Sequence, residues 1–575
     1  MLQNPLNPAK IRQYLSNYEL QISVIFITLT NLLVLGRFTP NLGIYYDEYV
    51  TFYILERFGL PQLLDLAGGQ SRQLASVLIA IASSNATIGH LLMLFFTTAC
   101  ALLLMYLLRR VFPHVPLIST LFGLLYLIYP IYFARVYLTI LSVDGSLFFA
   151  LSSFCLSYLA IRRRGFQRWT MIGISLILIP MYVNLYEMPI ALEILRPFII
   201  WAAVRDNSDG EKPVFPQTVL WSTLWVAVVG ATIFYRLFIF ESYGFYAERQ
   251  YNTGLSSPTS GSQLLETIGL SIGGLAAPLL SVWAGVFSRL SIFISTYGLL
   301  VALFLAFLGF MLVLFTTIKR SEKYAFRLWH PLSLAVIGLA LSVFSHLVII
   351  LVDRRLSGTA YMFSHLSRYY MISGIGAILF ILGILWFIHN LLRPRLGSFL
   401  IATVIAVMLF GGSITQIFWN THHARSWDNL RHFMWQLEEI VPNLKDGTTI
   451  IVDEQLTVID LDYITFIIGD LFYDNPSITL VLASRSNPEA MPAFSFNNGD
   501  WEFGWTSSYE QAILVYQDET GAVHVVDPAQ PIPDNFTLSD NALALLPLLP
   551  EDPSQFITDI PIENPNLREQ YFPRP

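Results

Sequence analysis

The chain has 575 residues, is 54% hydrophobic and only 13% charged, and its mean hydropathy is +0.57. Soluble domains carry about 25% charged residues, so roughly half the usual charge is missing, which excludes an ordinary water-soluble globule and fits a surface that largely faces lipid. The formal net charge of −7 is unevenly split: residues 418–575 hold 24 of the 40 acids but 6 of the 33 bases, a balance of −18, leaving 16 acids and 27 bases, or +11, in residues 1–417.

Lys10 and Arg12 precede the first apolar run and no small-residue cleavage site follows it, so an uncleaved anchor is expected. A helix needs about 20 apolar residues to cross a hydrocarbon core of about 30 Å. Runs of that kind lie at 21–38, 87–108, 116–133, 141–160, 168–185, 187–204, 217–239, 293–317, 332–352, 370–391 and 397–417, giving eleven expected spans. Arg109 with Arg110, Arg162 to Arg164, Arg205 with Lys212, the Lys319–Arg327 cluster and Arg393 with Arg395 then share a side with the N-terminus. The basic-loop rule assigns that side to the cytoplasm. The Gly-, Ala- and Ser-rich stretch 264–287 is expected to be interfacial or re-entrant, because a twelfth span would move the Lys319–Arg327 cluster outside. An odd span count places everything after residue 417 outside the cytoplasm.

The two cysteines, Cys100 and Cys155, lie in apolar runs and read as small buried hydrophobes. In the tail, Trp427, Leu430, Met434, Leu437 and Val441 recur at helical spacing. Thr448–Val452 and Ile478–Leu482 read as strands, and Ala512–Tyr516 with Ala522–Val526 as a hairpin around Asp518–Gly521. The last 25 or so residues, rich in Pro, Asn and acids, read as an extended or loosely packed end. The expected fold is an all-α polytopic membrane bundle, residues 1–417, with a small α/β extracytoplasmic domain, residues 418–575. No internal repeat of the kind common in transporters is seen.

Ionisable groups at membrane depth are costly and mark candidate sites. On the outer side the first loop, about 40–73, opens with Tyr45-Tyr46-Asp47-Glu48-Tyr49, followed by an amphipathic stretch. Adjacent carboxylates suit general-base work, since repulsion and partial burial raise one pKa while the other stays ionised. The same acids also suit the first turn of a helix, where they favour its dipole. Arg135 and Asp144 flank the turn between the third and fourth expected spans, Glu187 the turn between the fifth and sixth, and Arg236 the outer end of the seventh. Arg354, Arg355, His365, Arg368 and Tyr369 surround the start of the tenth. A later outer loop covers about 241–290. Outer arginines at span ends suit a lipid phosphate, which the guanidinium fork grips in bidentate fashion, or they snorkel to the interface. Glu193 and Arg196, three apart, read as a self-neutralising pair, and His422–His423 as interfacial. HExxH, GxSxG, Walker A and GxGxxG motifs find no convincing context.

This arrangement resembles the GT-C glycosyltransferases, which include protein O-mannosyltransferases, aminoarabinose transferases and single-subunit oligosaccharyltransferases. The matching features are the acid pair Asp47-Glu48 just after span one, Asp144 with Arg135 at the next outer turn, Arg368-Tyr369 opening a late span, and an outer C-terminal domain. The resemblance is topological over residues 20–417. It implies inverting transfer of a sugar from a polyprenyl-phosphate donor to a protein, lipid or glycan acceptor, at a multi-pass plasma or inner membrane. Asp47 would be the base and Glu48 its helper; Arg135 and Arg368, with Tyr369, would hold the phosphate; Asp144, Glu187, His365 and Arg236 complete the candidate set. No cofactor or metal site is assigned, a divalent cation near Asp144 being left open, and nucleic acid is not an expected partner. The WWDYG-type motif of oligosaccharyltransferases is missing, Trp501 and Trp505 being followed by Glu502-Phe503 and Thr506-Ser507. That departure argues against asparagine-linked transfer. The alternatives are a polysaccharide polymerase or ligase, a lipid-linked glycan transporter, and a non-catalytic scaffold.

Overall fold

The computed structural model describes residues 18–45, 47–68, 72–83, 85–207, 214–240, 277–320, 329–351, 365–453, 465–475, 477–486, 488–489, 491–497, 500–506, 509–532, 537–559, 562, 568–569 and 572–574. Among these, nine helices are long and apolar enough to cross a membrane: Glu19–Asn41, Ala86–Val111, Leu138–Arg162, Gly165–Leu185, Val214–Phe234, Thr296–Leu314, Trp329–His346, Arg368–Leu391 and Pro394–Ile440.

Two expected spans take another form, and proline explains both. The third is a 13-residue helix, α5 (Pro116–Ile128), every residue of which is buried. Pro130 forces Tyr129 out of helical geometry, to φ −58 and ψ 127. The chain continues as a 3-10 turn, Pro130–Val136. Being sheathed by other helices, α5 need not match lipid thickness. The sixth span begins as a 3-10 helix, Met188–Leu195, with Pro189 in its first turn, and continues as α8 (Arg196–Asn207). At about 2.0 Å per 3-10 residue and 1.5 Å per α residue, the two together rise roughly 34 Å, which is still enough to cross.

The remaining helices are α1 (Glu19–Asn31), α2 (Asp47–Gly68), α3 (Gln73–Ser83), α4 (Ala86–Val111), α6 (Leu141–Arg162), α7 (Gly165–Leu185), α9 (Val214–Phe234), α10 (Val282–Ser288), α11 (Thr296–Arg320), α12 (Trp329–Leu351), α13 (Met371–Leu391) and α14 (Pro394–Ile440). Contacts gather several of the helix ends into two groups. At one end Arg205 donates to the Arg110 and Val111 carbonyls, Tyr158 donates to Asp206, and His330 stacks on Trp386. Arg109, Arg162, Arg163, Arg164, Arg393 and Arg395 share that end, while the Lys319–Arg327 side chains lie outside the described residues. At the other end Tyr297 donates to the Leu33 carbonyl, and Arg37 lies 3.8 Å over the Tyr297 ring. Of 264–287 only Ala277 onward is described; α10 packs Trp283 edge-on to Tyr129 and Val286 beside Gly411 of α14.

The last span does not end at residue 417. It runs unbroken through the amphipathic stretch, so α14 is 47 residues and roughly 70 Å long. Trp427, Leu430, Met434, Leu437 and Val441 are buried, as their spacing predicts. On them lies a four-stranded sheet in the order β3-β2-β6-β7, formed by β2 (Thr449–Val452), β3 (Thr479–Leu482), β6 (Ala512–Gln517) and β7 (Val523–Val525). β2, β3 and β6 are parallel and β7 is antiparallel to β6. Helix α15 (Thr465–Tyr473) crosses from β2 to β3. Both faces are covered, as a parallel sheet requires. Ile450 and Val452 join the core shared with α14, and Ile451 and Leu514 join a second core with Ala542 and Leu545 of α16 (Asp540–Leu545). The expected hairpin forms: Asp518 accepts from Thr520 N, Thr520 Oγ1 and Ala522 N, and Gly521 takes φ 87. A separate ribbon pairs β4 (Met491–Asn497) with β5 (Asp500–Thr506), and β1 (Asn443–Leu444) pairs with β8 (Ile557–Thr558).

Candidate functional site

The residues leading into the acid pair are bolted to two helices, α14 and α4. A Cβ on Gly43 would stand 1.9 Å from the Trp427 ring of α14, so this position accepts only glycine. Gly43 N–H donates to the Tyr45 hydroxyl at 3.1 Å, and its carbonyl bonds His90 Nε2 of α4 at 2.9 Å. The Tyr45 hydroxyl in turn donates to the His423 carbonyl at 2.9 Å. His423 Nδ1 faces the Trp419 carbonyl at 2.8 Å; a carbonyl only accepts, so Nδ1 carries the proton and Nε2 accepts from the Tyr137 hydroxyl at 3.2 Å. The two histidines read together from sequence therefore differ: His422 is exposed and His423 is buried. Two residues beyond Tyr45, α2 begins at Asp47, so Asp47 and Glu48 occupy its first turn. Their side chains lie outside the described residues. Further along α2, Arg57 pairs with Asp474 at 2.6 Å, and Tyr49 stacks on Phe572, docking the helix against the C-terminal domain.

Arg135 and Asp144 meet, but inside the bundle. Arg135 Nε lies 3.7 Å from Asp144 Oδ2, with both side chains at most 1% exposed. Arg135 Nη1 donates to the Tyr126 and Leu127 carbonyls at the end of α5, and the guanidinium lies 4.5 and 4.3 Å from the Tyr126 and Tyr132 ring centres. Asp144 accepts from Thr97 Oγ1 and Tyr126 OH, both at 3.2 Å. This corrects two expectations. A guanidinium so enclosed does not present its fork to a lipid phosphate. A carboxylate whose oxygens face two hydroxyls and an arginine does not fit a divalent cation either. Among the described residues no group of three or more His, Cys, Asp or Glu could hold a metal.

Glu187 and Arg236 also come together, joined by a residue the sequence did not single out. Arg72 Nη2 contacts Glu187 Oε1 at 2.5 Å, and Arg236 Nη2 contacts Glu187 Oε2 at 3.4 Å. Burial alone would push the Glu187 carboxyl up; the two guanidinium charges outweigh it and hold the carboxyl at about 2. Arg72 and Glu187 are 115 residues apart, and no local spacing links them.

Arg368 and Tyr369 lie in a 3-10 turn, His365–Tyr370, that caps α13, and the Arg368 guanidinium sits 5.3 Å from the Tyr369 ring. The His365 side chain, with Arg354 and Arg355, lies outside the described residues. The turn packs on the Arg135 segment, where Tyr132 OH donates to the Met371 carbonyl at 3.0 Å. The sequence also passed over His346 of α12. It is buried 5.1 Å from the Tyr370 ring, and neither ring nitrogen has a hydrogen-bond partner among the described residues. Deeper in the bundle, Arg196 grips Glu193 through Nε and Nη2 at 2.5 and 2.6 Å and also bonds Ser153 and Ser157, while Tyr182 bonds Glu193. That network ties α6, α7 and α8 together as a structural knot.

The acid-bearing loop, the Arg135 segment and the Arg368 turn thus pack one against the next at the end opposite the basic loops. Tyr45 and Tyr137 join the first two at a ring separation of 6.1 Å, and Tyr132 joins the second and third. Searched against protein-family models and curated proteins, the chain matches none.

Proposed function

We propose that the chain is a GT-C-type inverting glycosyltransferase that uses a polyprenyl-phosphate sugar outside the cytoplasm. The observation that carries the reading is the Tyr45–Tyr137 contact, which brings the acid-bearing loop against the segment leading to the Arg368 turn. Transfer from a lipid carrier wants such groups gathered at one end of the bundle, where headgroups lie; transport wants them strung through its middle. The basic loops at the opposite end support a cytoplasmic assignment for that end and an outer one for the C-terminal domain.

In this mechanism Asp47 removes the proton of the acceptor hydroxyl. The oxygen attacks the anomeric carbon, the carbon–oxygen bond to phosphate breaks on the opposite face, and polyprenyl phosphate leaves with the bonding electrons. Arg368 meets the developing phosphate charge, and Glu48 orients the acceptor. Arg135, neutralised by Asp144, supports from within: its guanidinium lies over the Tyr132 ring, whose hydroxyl holds the Met371 carbonyl beside the turn that carries Arg368. Incubating the purified protein with a panel of polyprenyl-phosphate sugars and measuring released polyprenyl phosphate tests the reading. Acceptor-dependent release supports it, and no release from any donor removes it.

A further inference from the structure

The end of the chain, expected to be loose, is tied down. Arg568 is 3% exposed; its Nε donates to the Phe472 carbonyl at 2.9 Å, and its guanidinium pairs with Glu438 of α14 and lies 4.2 Å from the Phe472 ring. Trp435 Nε1 donates to the Phe572 carbonyl at 2.8 Å, and Arg431 donates to the Pro573 carbonyl at 3.3 Å. These polar anchors all run to α14 and α15. The Phe572 ring, fully buried, does something different. It stacks on Trp427 at 6.3 Å and 25°, meets Phe472 edge-on at 5.6 Å, and stacks on Tyr49 of α2 at 6.1 Å and 19°. Tyr49 stands two residues after Asp47.

We propose that Phe572 is a positioning residue: residues 568–569 and 572–574 act as a strap whose ring sets the first turn of α2, and with it Asp47 and Glu48, relative to the rest of the site. Its chemical consequence rests on the transferase reading; its mechanical part does not. Trp427 lies at the centre of the device, because it takes Gly43 on one side of the acid pair and Phe572 on the other. The first turn of α2 is thereby fixed from both sides, through the loop before it and the ring beside it. The C-terminal domain then acts as part of the site rather than as a displayed appendage.

The test uses the full-length protein in detergent, with hydrogen exchange and transfer kinetics measured side by side. Phe572→Ala should speed amide exchange across 49–55 by about tenfold or more while α4 and α6 keep their protection. It should also lower kcat on the order of 10- to 100-fold, as expected for a displaced catalytic group, with donor KM changed by less than about twofold. Phe572→Leu, which refills most of the volume, should recover most of both. If the alanine variant does not fold, Glu438→Gln, which weakens the Arg568 anchor, should raise exchange over the same residues. Unchanged exchange across 49–55 in folded Phe572→Ala overturns the proposal, as does a loss of protection spread evenly over the bundle. Where the parent protein transfers no sugar, the transferase reading fails and the exchange result decides the strap by itself.

Discussion

At the scale of single residues, the site is organised by which charges are enclosed and which are shared. Glu187 is the clearest case. Its folded pKa lies near 2 against an ordinary value of 4.5, because burial is outweighed by Arg72 and Arg236. A depressed carboxylate contributes stability above its unfolded pKa. That contribution falls away as the pH drops from about 4.5 through about 2, by roughly 1–3 kcal/mol in total. Glu187→Gln should remove this acid-sensitive component from thermal unfolding curves measured between pH 6 and 3, while the parent loses stability across the lower part of that range. Equal pH dependence in both would show that the shared carboxylate is not the cause. Asp144→Asn should be harsher, costing about 3–5 kcal/mol, because it leaves Arg135 enclosed without its countercharge. A thermal unfolding midpoint within a degree or two of the parent's would contradict that pairing. Both members of the Arg135–Asp144 pair were legible in the sequence, since a charge beside an apolar span stands out. Their enclosure was not, because it depends on the Pro130 break that folds the segment back beneath α5. Arg72 carried no signal at all: it is an ordinary loop arginine until the fold brings Glu187 to it.

Among the elements, the close approach of the first outer loop to α14 is the joint on which the site depends. Gly43→Ala would drive a methyl group into the Trp427 ring, and either the loop or the indole must move. The expected cost is about 1–3 kcal/mol of stability together with a loss of whatever activity depends on α2. Gly43→Ala combined with Trp427→Leu should recover part of the stability by making room. If Gly43→Ala behaves as the parent, the loop does not lie where the structure puts it. Sequence patterning located the last apolar run, 397–417, and the amphipathic tail helix as two elements. It did not join them, because an apolar run and an amphipathic stripe obey different periodic rules. The clue to continuity was the lack of any Pro or Gly from Ser413 to Ile440. The four strands of the main sheet were legible from their β-branched runs, whereas the β4–β5 ribbon, whose one β-branched residue is Thr506, was not. The strap was not, because a segment rich in Pro, Asn and acids looks the same whether it floats or is pinned by one phenylalanine.

For the whole molecule, the account depends on orientation. Both native cysteines are buried, so introduced ones report cleanly. Glu519→Cys, in the exposed turn between β6 and β7, should react with an impermeant thiol reagent in intact cells. Arg164→Cys, at the basic end, should react only after permeabilisation. The opposite pattern would put the acid pair in the cytoplasm, away from an outer lipid-linked donor. With orientation established, the most direct measurement is the rate of sugar transfer from a polyprenyl-phosphate donor by parent and Asp47→Asn proteins of equal thermal stability. Asparagine keeps the shape and helix-capping capacity of aspartate but cannot take a proton. A catalytic base therefore predicts that turnover falls by about 10²–10⁴ while the fold is unchanged. Transfer by Asp47→Asn at the parental rate would contradict the account at its centre, leaving Asp47 as no more than the first residue of a helix.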